Sequence, residues 1–375
     1  MHEKRLSPNL NVFLLGGRGG GGEEVFLREL QAHPPEGVTY FTAMEPHEGV
    51  PGAKPLRFRA VTFNRLIHPF LWPLQGLRAY DVGPEIDLVH VHNHSTWLRV
   101  PAGVPVVFSV GGGSYIHYLE TYLGWTRNKV QERYRLARRV YRSLGIRNEV
   151  ATPESYDAIV VRSPFAKDQM EALDVPRDKI HAIPPGFEIS DPGPPNLGKL
   201  PFTFLLVGRD PDRKGADLAV AAARGLRNEG RHLRLQMVGD PSYPSMSEPG
   251  LIEGFPTVPR DRLMADHFQK AHAVLVPSRA EGFGFTAVEG MANRKPVIAS
   301  NVAALPWIVN GCGLFFQSGD IDGLRAAMAR LMDNPEEATV LGARGRQRFE
   351  AEFSIDRFRE RFGHLYRATL HRQTP

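Results

Sequence analysis

Short apolar runs alternate with amphipathic stretches along the chain. The runs in the first half are Leu10–Leu15, Val38–Ala43, Leu88–Val91, Val104–Val110 and Ala158–Val161. Those in the second half are Phe202–Gly208, Leu233–Val238, Ala273–Val276, Pro296–Ala299 and Gly313–Phe315. Such runs, bounded by Gly and Pro, are typical of strands covered on both faces, and helical periodicity lies between many of them. The pattern predicts an α/β fold with doubly wound, Rossmann-like parallel sheets.

A break in this alternation divides the chain. Ser190–Leu200 is rich in Pro and Gly, has no periodicity and precedes a fresh strand. We therefore predict a first domain over 1–190, a linker over 191–200 and a second domain over 201–354. Ligands of such sheets bind outside the carboxyl ends of the strands, so we expect both domains to face one central cleft.

Composition narrows the class of protein. The chain has 375 residues, of which 42% are hydrophobic and 23% charged, as in an ordinary soluble protein of two domains. The single cysteine, Cys312, excludes a disulfide framework and a zinc site built from several thiolates, and it fits a reducing cytosol. No apolar run approaches the roughly 18 residues of a spanning helix. We expect a cytoplasmic protein, soluble or peripheral on the inner face of a membrane.

The positive charge is local. Residues 125–147 hold eight basic side chains against one acidic residue, Glu132, in a chain whose net charge is +5. This segment is either a solvated helix face or a surface for anionic lipid or an anionic acceptor. Residues 66–77 add aromatic side chains that would suit a membrane interface. Nucleic-acid binding is not expected, because no binding module is present.

Glycines follow the first predicted strand over Gly16–Gly22. Strand, glycine turn and helix N-terminus form a geometry that binds anions. Gly17, Gly19 and Gly22 satisfy G-x-G-x-x-G, and Glu45 stands where a nicotinamide enzyme places its ribose-binding acid. The alternatives are a dinucleotide site, a loop approached by a donor phosphate or an acceptor, and a turn without a ligand.

The second half carries two acids around a glycine turn. Glu281 lies in the loop after Ala273–Val276, and Glu289 lies about one turn into the helix that follows, so both point towards the same helix N-terminus. Gly282 and Gly284 let a ligand approach the backbone, and free N–H groups there suit a pyrophosphate. The two acids then accept hydrogen bonds from sugar and ribose hydroxyls.

Cations for a diphosphate come from the preceding strand. Arg209 ends Phe202–Gly208, and Lys214 follows before the next helix. Both would stabilise the charge of a leaving nucleoside diphosphate. Asp210-Pro211-Asp212 has the D-x-D form of metal-dependent transferases, but its position predicts a turn.

In this order the pieces resemble the retaining GT-B glycosyltransferases of family 4. The resemblance covers nearly the whole chain. It rests on Gly16–Gly22, Asp87–His92, Ile183–Glu188, Val207–Arg209 with Lys214-Gly215, Met237–Asp240, Pro277-Ser278, Glu281–Glu289 and Lys295–Ser300. The resemblance implies transfer of a sugar from a nucleotide-diphosphate sugar to a hydroxyl acceptor without metal or other cofactor, in cell-envelope or polysaccharide biosynthesis. It also implies that the final amphipathic stretch, within 355–375, returns to the first domain.

The resemblance carries over to particular residues. Glu281, Arg209, Lys214 and His92 are the expected catalytic residues. Donor binding is expected at Gly17, Gly208, Arg209, Lys214, Gly239, Gly282, Phe283, Gly284, Phe285, Thr286 and Glu289. Acceptor binding is expected at Gly111, Gly112 and His117.

Two departures from the family pattern stand out. Gly111-Gly112-Gly113 replaces a histidine that the family often places near the reacting carbon, and Trp307 replaces an acid. The missing histidine keeps a non-catalytic sugar-nucleotide-binding protein open as an alternative. The loop with Gly17, Gly19 and Gly22, together with Glu45, keeps a nicotinamide oxidoreductase open as another. His90, His92 and His94 alternate and would share one face of a strand, as metal ligands or as polar residues at a strand end.

Overall fold

The computed structural model describes residues 9–16, 22–42, 53–56, 78–92, 96–110, 119–121, 124–147, 152–193 and 201–372. The chain forms two compact units. The first comprises Met1–Gly186 together with Ile355–Pro375, and the second comprises Phe187–Ser354. The predicted boundary within 191–200 lies partly outside the described residues, and Asp191 itself pairs with Arg294 of the second unit.

The first unit is built on a parallel sheet of six strands in the order β2-β1-β5-β7-β8-β9. Its strands are β1 (Leu10–Gly16), β2 (Val38–Thr42), β5 (Leu88–His92), β7 (Val106–Ser109), β8 (Ala158–Val161) and β9 (Ile180–Ala182). A smaller sheet pairs β3 (Ala53–Leu56), β4 (Arg78–Val82) and β6 (Thr96–Arg99). The strand order reverses between β1 and β5, and there Gly16 is the register partner of His92.

Helices cover this sheet. They are α1 (Gly22–Ala32), α2 (Arg127–Ser143), α3 (Pro164–Glu171) and α11 (Ile355–His371), with short 3₁₀ turns at Pro153–Ser155 and Arg177–Lys179. β5 is buried over its full length, because helices leave no face of it to solvent. Phe358, Phe362 and Tyr366 of α11 join the same hydrophobic cluster as Val12 and Leu14 of β1.

The second unit repeats the plan with strand order β12-β11-β10-β13-β14-β15, all parallel. Its strands are β10 (Phe202–Val207), β11 (Leu233–Val238), β12 (Ile252–Phe255), β13 (Ala273–Val276), β14 (Val297–Ser300) and β15 (Gly313–Phe316). Its helices are α4 (Pro211–Lys214), α5 (Ala216–Asn228), α6 (Arg260–Arg262), α7 (Phe285–Ala292), α8 (Leu305–Val309), α9 (Ile321–Asp333) and α10 (Pro335–Glu352). A 3₁₀ turn lies at Tyr243–Met246 and a π-helix at Leu263–Phe268.

The predicted fold class, two doubly wound parallel α/β units, is confirmed. The strand order of the second unit reverses between β10 and β13, so the loops after these two strands leave the sheet side by side. None of the helices described here combines the length and apolar character needed to span a bilayer.

Candidate functional site

The loop after β10 folds back over its own strand. Gly208 has φ 150°, and a Cβ on it would lie 2.7 Å from Cε of Lys214, so the lysine side chain passes directly over this backbone. Lys214 ends the short helix α4 and is buried. Gly239 follows β11 on the neighbouring strand, where Gly208 N donates to Val238 O. Only glycine at this position leaves room for the Lys214 side chain to reach the carboxyl edge of the sheet.

Lys214 meets Glu281, which stands in the loop after β13. Lys214 Nζ lies 2.6 Å from Glu281 Oε2, and Ser278 Oγ donates to the same oxygen at 3.0 Å. Arg213 Nη1 lies 3.9 Å from Glu281 Oε1. Burial alone would raise the pKa of Glu281, but the charges of Lys214 and Arg213 with these hydrogen bonds hold it below its usual value. The site thus holds a buried carboxylate that stays ionised.

Glu289, the second acid, lies in α7 and has a different partner. Arg260 Nη1 donates to Glu289 Oε1 at 2.7 Å. Burial raises the pKa of Glu289, and the charges of Arg260 and Lys214 only partly oppose this. The environments of the two acids therefore push their pKa values apart, which is typical of functional sites.

The start of α7 completes the arrangement. Gly284, with φ 109°, precedes the helix, and Thr286 Oγ1 donates to Val207 O at 3.2 Å, which ties α7 to the end of β10. The first N–H groups of a helix lack partners within the helix and favour anions. Phe283 is buried in the core and packs edge-to-face on the partly buried Phe285, with ring centroids 5.5 Å apart. Gly282 N donates to Glu281 Oε1 at 3.2 Å.

Arg209 and Arg213, on either side of the cap at Asp210, are placed differently. Arg209 is exposed and contributes to the lowered pKa of Asp240, behind its hydrogen bonds from Ser242. Arg213, which the sequence reasoning missed, joins Lys214 beside Glu281. Asp210-Pro211-Asp212, predicted as a turn, forms the start of the short helix α4, which Asp210 caps by accepting from Arg213 N at 3.3 Å.

In the first unit, His92 lies at the carboxyl end of β5. Its side chain is only 1% exposed and stacks on Phe26, with ring centroids 4.6 Å apart and planes at 11°. His92 Nδ1 lies 2.7 Å from Ser109 Oγ, and His90 Nε2 lies 2.7 Å from the same oxygen, so the two histidines share one face as predicted. Across the described residues, no group of three or more His, Cys, Asp or Glu side chains is arranged for a metal ion.

Several candidates fall outside the described residues. They are Gly17, Gly19, Glu45, His94, Gly111, Gly112 and His117. Sequence reasoning missed Arg213, Arg260, Ser109 and Tyr366. The only available signal was for Arg213, which adjoins Lys214. Long-range packing brings Arg260 to Glu289 in the second unit, and Ser109 and Tyr366 to the histidines of β5 in the first.

Comparison with known proteins decides the family. Residues 20–191 match the family described as Glycosyltransferase Family 4, and residues 201–334 match Glycosyl transferases group 1. The chain belongs to this glycosyltransferase family.

Relatives of this chain have glycosyltransferase activities in their names. An MMP alpha-(1->4)-mannosyltransferase from Mycolicibacterium hassiacum is 30% identical over 58% of this chain and 55% of its own length. A D-inositol 3-phosphate glycosyltransferase from Nocardiopsis dassonvillei is 27% identical over 84% of this chain and 78% of its own. The matched part thus spans little more than half of the mannosyltransferase.

Solved structures share the GT-B fold. A sucrose-phosphate synthase from Thermosynechococcus elongatus aligns with TM-score 0.62 and 19% identity over 96% of this chain and 99% of that one. Anabaena HepE, solved with UDP and glucose, aligns with TM-score 0.63 and 13% identity over 96% and 100%. At these identities the likeness concerns the fold.

Proposed function

We propose that this family member is a retaining glycosyltransferase that moves a sugar from a nucleotide-diphosphate sugar to a hydroxyl acceptor in cell-envelope or polysaccharide biosynthesis. One observation carries the proposal. A buried carboxylate, Glu281, is held by Lys214 and Arg213 at the N-terminal end of α7, with Glu289 along the same helix. This set supplies cations for a diphosphate and carboxylates for hydroxyls.

Each group has a chemical role in this proposal. Lys214, Arg213 and the first N–H groups of α7 bind the diphosphate and stabilise the charge that develops when the glycosidic bond breaks. Glu289 accepts from the ribose hydroxyls, and Glu281 accepts from the transferred sugar. Because two cations supply this charge stabilisation, the transfer is proposed to need no metal.

Retention of configuration is proposed to proceed by attack on the same face from which the nucleotide leaves. A double-displacement mechanism needs a carboxylate nucleophile at the anomeric carbon. Glu281 is the buried carboxylate beside Lys214 and Arg213, but its Oε2 already accepts hydrogen bonds from Lys214 and Ser278. The leaving phosphate then helps to deprotonate the acceptor hydroxyl.

Thermal stabilisation by UDP, GDP, ADP, TDP and NAD tests the donor site. A ligand at 100 times its Kd stabilises a protein by about 2.7 kcal/mol, which raises Tm measurably. We expect one nucleoside diphosphate to raise the Tm of the wild type and to lose most of this effect in Glu289→Ala. The exposed Glu336→Ala is the matched control, and it should respond as the wild type does. A response to NAD alone would contradict the proposal and favour an oxidoreductase.

We also propose peripheral contact with an anionic membrane through α2. Leu136 is 48% exposed and Leu144 just beyond the helix is 49% exposed, and Arg135 and Arg139 are exposed beside them. Other basic residues of the segment are committed within the unit, since Arg127 pairs with Glu120 and Arg142 with Glu154. Residues 66–77, the other part of the predicted surface, lie outside the described residues.

Vesicle sedimentation checks this contact. We expect binding to phosphatidylglycerol vesicles and not to phosphatidylcholine vesicles, weakened by salt and by Arg135→Glu or Arg139→Glu, because each basic side chain near such a surface contributes about 1 kcal/mol. Arg344→Glu, an exposed charge reversal in the second unit, is the control. Equal sedimentation of the α2 variants and the control would show α2 to be a solvated face.

A further inference from the structure

The carboxylate of Glu289 uses only part of its hydrogen-bonding capacity. Its side chain is 9% exposed, and Arg260 Nη1 donates to its Oε1 at 2.7 Å, whereas Oε2 accepts from no residue that the structure describes. Glu281 differs, because Lys214 and Ser278 both donate to its Oε2. The enclosed side-chain atoms without a partner belong to other described residues, so Glu289 Oε2 is not enclosed. It is therefore an acceptor that a ligand can reach.

Arg260 has donors to spare beside this acceptor. A guanidinium carries five N–H donors in a fixed planar fork. Within the described ranges, Glu289 Oε1 is the only acceptor that the Arg260 side chain bonds. That side chain is 37% exposed, so its other donors are open to a ligand. The pair thus presents donors and an acceptor side by side.

Contacts behind the pair fix its two helical segments to each other. Asn293 Nδ2 donates to Glu289 O at 2.8 Å and lies 3.6 Å from Met264 Sδ, in the π-helix that follows α6. Lys295 Nζ donates to Gln269 O at 3.1 Å, just beyond the same π-helix. The fold therefore sets the position of the guanidinium beside the carboxylate. π-Helices of this kind are frequent at functional sites.

A sugar hydroxyl has the chemistry that such a pair recognises, because it is both a donor and an acceptor. When a hydroxyl donates to a carboxylate, it becomes a better acceptor, so a neighbouring guanidinium N–H strengthens both bonds. Hydrogen bonds to charged groups are also the stronger ones. A ligand without that hydroxyl leaves one donor and one acceptor of the pair unused.

We propose that Arg260 is a specificity-determining residue of the nucleotide site, where it donates to a ribose hydroxyl that itself donates to Glu289. The inference rests on the proposed function for the nucleotide and for the role of Glu289. It adds a selectivity, since the site then favours a sugar that has this hydroxyl over the corresponding deoxy sugar.

Deoxynucleotides measure this selectivity. The probe is the nucleoside diphosphate that stabilises the wild type, compared with its forms that lack the 2′- or the 3′-hydroxyl. Calorimetry gives the Kd of each at pH 7.5 and pH 9. We expect at least one deoxy form to bind the wild type about tenfold or more weakly. In Arg260→Met this ratio of Kd values should fall about threefold or more at both pH values, because the guanidinium donors are lost.

The higher pH separates contact from charge. If Arg260 acts only by keeping Glu289 ionised, pH 9 restores the full ratio in Arg260→Met, and this result would overturn the proposal. Arg260→Lys keeps a positive charge beside the carboxylate and should fold as the wild type does. Its ratio should also fall, because an ammonium lacks the planar fork of donors. A wild-type ratio in Arg260→Lys would overturn the proposal as well.

Arg262→Met is the matched control. It removes a cation from the same short helix, at an exposed pair with Asp266, and should keep the wild-type ratio. An equal fall in Arg262→Met and Arg260→Met would show a general effect of charge, against the proposal.

The wild type separates this inference from the function it rests on. If a nucleoside diphosphate binds and neither deoxy form is weaker, the proposed donor site stands and the role of Arg260 fails. If no nucleoside diphosphate binds, the proposed function fails and the role of Arg260 falls with it.

Discussion

The two units place different chemistry at the same point of the same fold. In both, the strand order reverses near the middle of a parallel sheet, between β1 and β5 in one and between β10 and β13 in the other. At the second reversal the side chains are ionic, with Lys214 on Glu281. At the first, two histidines, His90 and His92, share a hydrogen-bonding partner in Ser109. A diphosphate requires cations, whereas a hydroxyl requires only hydrogen-bonding groups, so under the proposed function the ionic group around Lys214 binds the donor.

Breaking the ionic edge should have the largest effect. Lys214→Met leaves Glu281 buried without its main counter-charge, and we expect the free energy of unfolding to fall by about 3–5 kcal/mol, with turnover abolished. Denaturant unfolding measures this loss. Lys214→Met combined with Glu281→Gln should recover much of the stability and none of the activity, since no buried charge is left unpaired. Lys270→Met, at an exposed pair with Asp266, should change stability by no more than about 0.5 kcal/mol. A loss in Lys214→Met as small as this would contradict the ion-pair account.

The next largest effect is a dependence of nucleotide affinity on pH, which we expect from Glu289 in α7. The folded-state pKa of Glu289 is raised, so as pH falls this group takes up its proton at a higher pH than an ordinary glutamate and stops accepting from two ribose hydroxyls. We expect the affinity for the nucleoside diphosphate to fall by up to about tenfold per pH unit below that pKa. Arg260→Ala removes the opposing cation and should move the midpoint to still higher pH.

The contribution of Glu289 to stability should depend on pH in the direction opposite to that of the nucleotide affinity. With a raised pKa the native state binds more protons than the unfolded state, so the contribution of Glu289 to stability is present at low pH and lost as pH rises through the folded pKa. Glu281, whose pKa is lowered, contributes stability at higher pH that is lost as pH falls through its folded pKa. The affinity prediction for Glu289 is checked by calorimetric titration of the nucleotide from pH 5 to pH 8. An identical midpoint pH of the affinity in wild type and in Arg260→Ala would disprove the role of Arg260.

The smallest expected effect lies in the first unit. Phe26→Leu removes the ring on which His92 stacks, and we expect a loss of about 1 kcal/mol in stability with a lower kcat. Stabilisation by the nucleoside diphosphate should persist, because the ionic edge is untouched. Leu27→Val, in the same helix and buried to a similar degree, controls for repacking. Loss of nucleotide binding in Phe26→Leu but not in Leu27→Val would contradict the assignment of nucleotide binding to the second unit alone.

The sequence predicted those strands whose bounds depend on a local hydrophobic pattern. Ala158–Val161, Leu233–Val238 and Ala273–Val276 match their strands to the residue, because continuous apolar runs report burial on both faces. The glycine turn and helix start also placed Glu281 in the loop after β13 and Glu289 in the helix that follows, as they are in the structure. The small sheet of β3, β4 and β6 was missed.

Partners that packing alone brings together could not be predicted. Arg260 reaches Glu289 across 29 residues, and Tyr366 reaches His90 across 276. Arg209 and Arg213 both precede Lys214 by a few residues, and only the cap at Asp210 decides which of them turns towards Glu281. The choice depends on the left-handed backbone at Asp210, which a sequence pattern does not encode.

The place of α11 in the first unit has a consequence for synthesis. When residues 10–186 have left the ribosome, Phe358, Phe362 and Tyr366, which cover one face of β1, have not yet been translated. The second unit, in contrast, is translated as one continuous segment. The segment translated later can thus finish folding earlier. A nascent chain stalled before residue 355 would expose the face of the sheet that carries Val12 and Leu14. Before α11 is translated, this apolar face is therefore a binding site for a chaperone.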